Sequence, residues 1–112
     1  MSNLVTLAKE IQKAYLENTK SPETKKAFHA EAIRELQKVA DALGITAEII
    51  SKPQGDALLG QVDMTSKSLT LKVTFAYSTI LVMYGVRAYT NHMTLLDLCD
   101  TPTAVALLRK FV

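Results

Sequence analysis

The stretch YTNHMTLLDLCDTP, Tyr89 to Pro102, brings together His92, Asp97, the chain's one cysteine (Cys99) and Asp100. Those residue types suit three kinds of chemistry. A thiol beside an imidazole makes a nucleophile with its base, two carboxylates make an acid/base pair, and imidazole, thiolate and carboxylate together hold transition metals.

Each of these needs more than the stretch supplies. Zinc wants a tetrahedral set rich in nitrogen and sulfur, yet the chain offers only His29, His92 and Cys99 of that kind, with no CxxC, HxxxH or EF-hand spacing. No metal or other cofactor is expected. Cys99 sits in LLDLCD among Leu95, Leu96 and Leu98, where a small apolar filler is the simplest role. An enzyme centred on Cys99 and His92 stands as an alternative, since a thiol at the start of a helix has a stabilised thiolate. Asp97 and Asp100, next to Thr101 and Pro102, fit caps and first-turn charges that satisfy free backbone N–H groups. The four glycines are scattered, and no nucleophile elbow, phosphate-binding loop or dinucleotide fingerprint is present. The chain reads as non-catalytic.

Elements must position these residues, and the chain's composition bounds them. With 112 residues, 48% apolar and 21% charged, it has the balance of one globular domain spanning 1–112. The thirteen basic and eleven acidic side chains divide seven to six up to Gly44 and six to five after it, so no long-range field selects nucleic acid or a membrane. One cysteine, no signal-peptide pattern and no apolar run near the length of a bilayer span point to a cytoplasmic protein with no membrane contact.

Residues 1–44 predict a helical hairpin. In the first helix Leu4, Leu7, Ala8, Ile11, Ala14 and Tyr15 form one stripe, while Val5 and Leu16 lie outside it and widen the apolar surface toward a second neighbour. In the second, Ser21 is a cap, Pro22 suits the first helical position and Gly44 ends the helix. Phe28, Ala32, Ile33, Leu36, Val39, Ala40 and Leu43 share the inward arc with His29, a histidine expected to be partly buried with a hydrogen-bond partner. Glu31, Arg34, Glu35, Gln37, Lys38 and Asp41 are expected in solvent.

Residues 45–90 predict an antiparallel sheet. Ala47 to Lys52 is a short first strand, KPQGD a turn, and Leu58, Gly60, Val62 and Met64 a second strand. In SLTLKVTFAYS the apolar Leu69, Leu71, Val73, Phe75 and Tyr77 alternate with polar or small residues, so one face is buried and one wet. Ile80 to Tyr84 has no polar alternate, which predicts a strand covered on both faces. Residues 91–112 predict a connecting loop and a short closing helix with Pro102 in its first turn. The class is α+β, with helices mainly on one face of a three- or four-stranded antiparallel sheet.

That architecture leaves more apolar surface than one thin layer needs, unless the closing helix covers it. The leading expectation is a small protein-binding module, a homodimer or an adaptor or inhibitor docking on a larger protein, of the kind phages and plasmids encode as accessory proteins. Its interface candidates are Val5 and Leu16 on the first helix, Ile80, Val82, Met83 and Tyr84 on the fourth strand, and Tyr89, Asn91 and His92 after it. A small nucleic-acid-associated subunit is the alternative, with Lys20, Lys25 and Lys26 around the first helical turn as phosphate contacts.

Overall fold

A computed structural model describes residues 4–19, 22–52, 61–76 and 79–112. Helix α1 spans Leu4–Leu16 and α2 spans Pro22–Leu43. Strands β1 (Glu48–Lys52), β2 (Gln61–Thr65), β3 (Leu69–Ala76), β4 (Thr79–Val86) and β5 (Asn91–Met93) follow, then α3 (Leu95–Cys99), α4 (Thr101–Leu108) and a closing 3-10 turn, Arg109–Phe111. Ser21, Lys20, Leu58, Gly60, Tyr77 and most of the KPQGD turn lie outside the described residues.

Both helices of the hairpin end in the same way. The peptide N–H of Gly44 bonds Asp41 O at 3.1 Å and that of Ile45 bonds Ala40 O at 3.1 Å. At the end of α1, Asn18 N–H bonds Tyr15 O at 3.1 Å and Thr19 N–H bonds Ala14 O at 2.8 Å. The reversal needs a left-handed residue, supplied by Gly44 at φ 71° and by Asn18 at φ 55°. Asparagine stands in for glycine because its short amide tolerates that region better than other side chains do.

The five strands form one antiparallel meander in the order β1-β2-β3-β4-β5. All helices lie on one side of it. Val62 and Met64 of β2, Leu69, Leu71 and Val73 of β3, Val82 and Tyr84 of β4 and Met93 of β5 turn toward them. These residues form one core with Leu4, Leu7, Ala8 and Ile11 of α1, Phe28, Ala32, Leu36, Val39, Ala40 and Leu43 of α2, and Leu98, Ala104 and Leu108 of the closing segment. Each fully buried leucine or phenylalanine contributes about 1.5–3 kcal/mol. The α+β class and the one-sided helix layer agree with the sequence reading, with five strands in place of three or four.

Four local expectations are corrected. The segment from Asn91 is not a loop: it adds the fifth strand and a further helix, α3. The capping box T-x-x-D makes that helix, for Asp97 N–H bonds Thr94 Oγ1 at 3.1 Å and Thr94 N–H bonds Asp97 Oδ2 at 3.2 Å. Asp100 then caps α4 by position, its carboxylate accepting from the Thr103 hydroxyl, with Pro102 in the first turn. Strand β4 is not covered on both faces: Leu81, on the side away from the helices, is 38% exposed, because α4 joins the helix layer and does not cross to the other side. Glu35 is not in solvent but 1% exposed. It stands seven residues after Phe28 and four before Val39, on the buried stripe of α2, and its charge does not change that phase. Finally, Val82 and Tyr84 are core residues, which removes them from any surface; Tyr84 packs edge-to-face on Phe111 with ring centroids 5.4 Å apart.

Candidate functional site

Alternation places every second side chain on the face of the sheet away from the helices. Read through the register, Ile50, Asp63, Lys72, Met83 and His92 form a row across all five strands. Lys52, Gln61, Thr74 and Leu81 form the row beside it, and Glu48, Thr65, Thr70 and Gly85 a third. Among the described residues no helix lies over this outer face.

A carboxylate lies at its centre. Asp63 is 8% exposed although it is on the uncovered side. Gln61 Nε2 donates to Asp63 Oδ1 at 3.0 Å and Oδ2 at 3.1 Å, and Lys52 Nζ approaches Oδ2 at 2.8 Å. Amide and ammonium thus close over the carboxylate and satisfy it. The hydrogen bond and the charge of Asp63 hold the Lys52 ammonium above its usual pKa.

The connection from β4 to β5 folds back onto the same face. Arg87 takes φ 55°, and Thr70 Oγ1 on β3 lies 3.2 Å from Gly85 O and 3.0 Å from Ala88 O, fastening the turn to the sheet. Gly85 makes the approach feasible, since a Cβ there would meet Ala88 O at 2.6 Å and Thr90 Oγ1 at 2.9 Å. Tyr89 is thereby carried over the sheet, with Lys72 Nζ 4.4 Å from its ring centroid. Partial burial raises the phenol's pKa; the negative charge of Asp63 adds to the rise and Lys52 opposes it. The outer face is therefore a polar centre (Lys52, Gln61, Asp63, Lys72) walled by Tyr89 and flanked by the exposed apolar side chains of Ile50 and Leu81.

No family model, curated protein or solved structure matches the chain.

Of the interface candidates read from sequence, Met83, Tyr89 and His92 come together here: Met83 is paired with His92 in register, and Tyr89 lies over Lys72 beside Met83. Ile80 packs against the core, and Asn91, half-buried, donates from Nδ2 to Thr90 Oγ1 at 3.1 Å. Val5 and Leu16 stay apart in the helix layer, where α1 packs on α2 and α3; Val5 is half-buried, while Leu16 at 73% and Tyr15 at 39% are exposed.

The structure does not join Cys99 to His92. Cys99 packs against the core from α3 on the helix side of the sheet, while His92 is exposed and alternates with the buried Met93. His29 is 7% exposed, and its Nδ1 lies 2.5 Å from Ser51 Oγ on β1, bridging α2 to the sheet. Lys25 and Lys26 lie on the first turns of α2, in the helix layer, and Lys20 is outside the described residues. Among the described residues no group of histidine, cysteine and carboxylate side chains is set to hold a metal ion, and no helix is long and apolar enough to cross a membrane.

Sequence reasoning missed Lys52, Gln61, Asp63 and Lys72 as a group. Each sits at a polar position of its own strand, but only the register makes them neighbours. A local signal existed for the turn: Gly85 in β4 marks a place where another backbone approaches.

Proposed function

We propose that the chain is a small non-catalytic protein-binding module whose docking surface is the outer face of the sheet around Leu81, Met83, Lys72 and Tyr89. One observation carries the reading: among the described residues the helices pack on one side, leaving the exposed apolar side chains of Ile50 and Leu81 beside a satisfied, structured polar centre. An anchored polar centre flanked by apolar side chains and a fixed tyrosine has the composition of a protein-recognition surface. Among the described residues the outer face presents no nucleophile with a base beside it, which favours binding over catalysis. The single cysteine fits an adaptor or inhibitor working in a reducing cytoplasm, in the manner of a phage- or plasmid-type accessory protein.

The test is capture from a host lysate followed by quantitative mass spectrometry, comparing wild type with Leu81→Lys, Tyr89→Ala and the helix-layer control Leu16→Lys. The reading expects a protein retained by wild type and Leu16→Lys and lost by the two outer-face variants, each folded by circular dichroism. Retention by all the variants would move the binding surface elsewhere. Capture of nucleic acid, with affinity falling steeply as salt rises, would replace the reading with the one built on Lys20, Lys25 and Lys26.

A further inference from the structure

Among the described residues β1 is paired on one side only, with β2. Its far side carries peptide N–H and C=O groups directed away from the sheet, a template for another strand. The opposite edge, β5, is only three residues long, which limits pairing there.

The strand at the open edge reads Glu48-Ile49-Ile50-Ser51-Lys52, with opposite charges at its ends and Ile50 at its centre. Glu48, Ile50 and Lys52 are all exposed and share the outer face. Lys52 has Asp63 as a partner, whereas Glu48 makes no ion pair within the described chain. Laid antiparallel against its own copy about a two-fold axis through Ile50, the strand sets Glu48 opposite the partner's Lys52, Lys52 opposite the partner's Glu48, and Ile50 opposite the partner's Ile50. Both ionic pairs and the apolar pair then fall at cross-strand distance on one face. Because β1 has one free side, a β1–β1 contact uses the same edge of both copies and closes at two.

We propose that a second copy of this chain docks on the β1 edge, joining the two five-stranded sheets into one continuous sheet through antiparallel β1 pairing. The two-fold axis stands perpendicular to the sheet, so both helix layers lie on the same side. About four to six new backbone hydrogen bonds form, depending on which residues of β1 point outward. Glu48 gains a cation, and Lys52 bridges Asp63 to the partner's Glu48. The pairing leaves Leu81, Met83 and Tyr89 uncovered and does not depend on their binding anything. An edge contact of this kind buries little area, so the dimer is expected to form at micromolar rather than nanomolar concentration.

Sedimentation velocity on the full chain between about 5 µM and about 500 µM tests this. Wild type should shift from monomer to dimer across that range. Glu48→Lys and Lys52→Glu each create two like-charge pairs and should weaken self-association at least about tenfold, while an equimolar mixture of the two restores opposite charges and should regain the dimer. Ile50→Lys removes neither Lys52 nor Asp63 and should also abolish the dimer with an unchanged circular dichroism spectrum, so the test stands even if Lys52→Glu fails to fold. A wild type that stays monomeric throughout overturns the proposal. So does a dimer that survives both Glu48→Lys and Ile50→Lys.

Discussion

Lys52 Nζ on β1 lies 2.8 Å from Asp63 Oδ2 on β2, yet the two ends of this ion pair live in different surroundings. The lysine side chain is 52% exposed and the aspartate side chain 11%. Removing either partner therefore has unequal consequences. Asp63→Ala leaves the Gln61 amide and the Lys52 ammonium without their acceptor and should cost about 1–2 kcal/mol in urea denaturation. Lys52→Ala removes a charge that water already solvates, with Gln61 still holding the carboxylate, so its loss should be clearly the smaller. Equal effects would mean that the carboxylate draws its stability from the lysine alone.

Stability should decline in alkali because of the same cluster. Lys52 has a folded pKa above its ordinary 10.5, raised by Asp63, so its contribution is complete below that value and disappears as pH rises through the folded pKa. Tyr89 has a folded pKa above 10.0, raised by burial first; above pH 10 the unfolded chain loses this proton more readily than the folded one, which again favours unfolding. Both signs agree. Thermal melts between about pH 9 and pH 11.5 should show a smaller loss for Lys52→Arg combined with Tyr89→Phe, since a guanidinium keeps its charge and phenylalanine does not titrate.

The turn that carries Tyr89 depends on Gly85 having no side chain. Gly85→Ala puts a methyl 2.6 Å from Ala88 O, and that backbone must move. The expected cost is about 1–3 kcal/mol, concentrated in faster amide exchange over residues 87–90. Thr70→Val, which removes the hydroxyl serving Gly85 O and Ala88 O, should cost about 1 kcal/mol and should loosen the same residues. The double variant should lose less than the sum of the two, because both act on one loop.

Glu35 points to a stabilising substitution. Its Oε1 lies 3.3 Å from Lys38 Nζ, whereas Oε2 is buried with no hydrogen-bond partner among the described residues. Glu35→Leu should raise stability by about 0.5–2 kcal/mol, since a buried unsatisfied oxygen costs more than one contact with an exposed lysine returns. A higher melting temperature with an unchanged fold would bear this out, and a lower one would show that the carboxylate is satisfied in solution.

The sequence by itself determined the elements whose pattern is local. The inward arc of α2 from Phe28 to Leu43, the alternation of Leu69, Leu71 and Val73, the left-handed end at Gly44 and the first-turn Pro102 all follow from periods and backbone preferences that a few neighbouring residues set. Charge was the misleading signal at Glu35, where helical phase prevailed, and the capping box at Thr94 and Asp97 was legible but divided a segment that reads as one loop. The tertiary structure decided which side of the sheet the helices cover. It thereby withdrew Val82 and Tyr84 into the core, left Leu81 outside, and gathered Lys52, Asp63, Lys72 and Tyr89 from four separate segments. Those neighbours are fixed by strand register and by the docking of whole elements, and both depend on contacts between residues far apart in the chain that no local window contains.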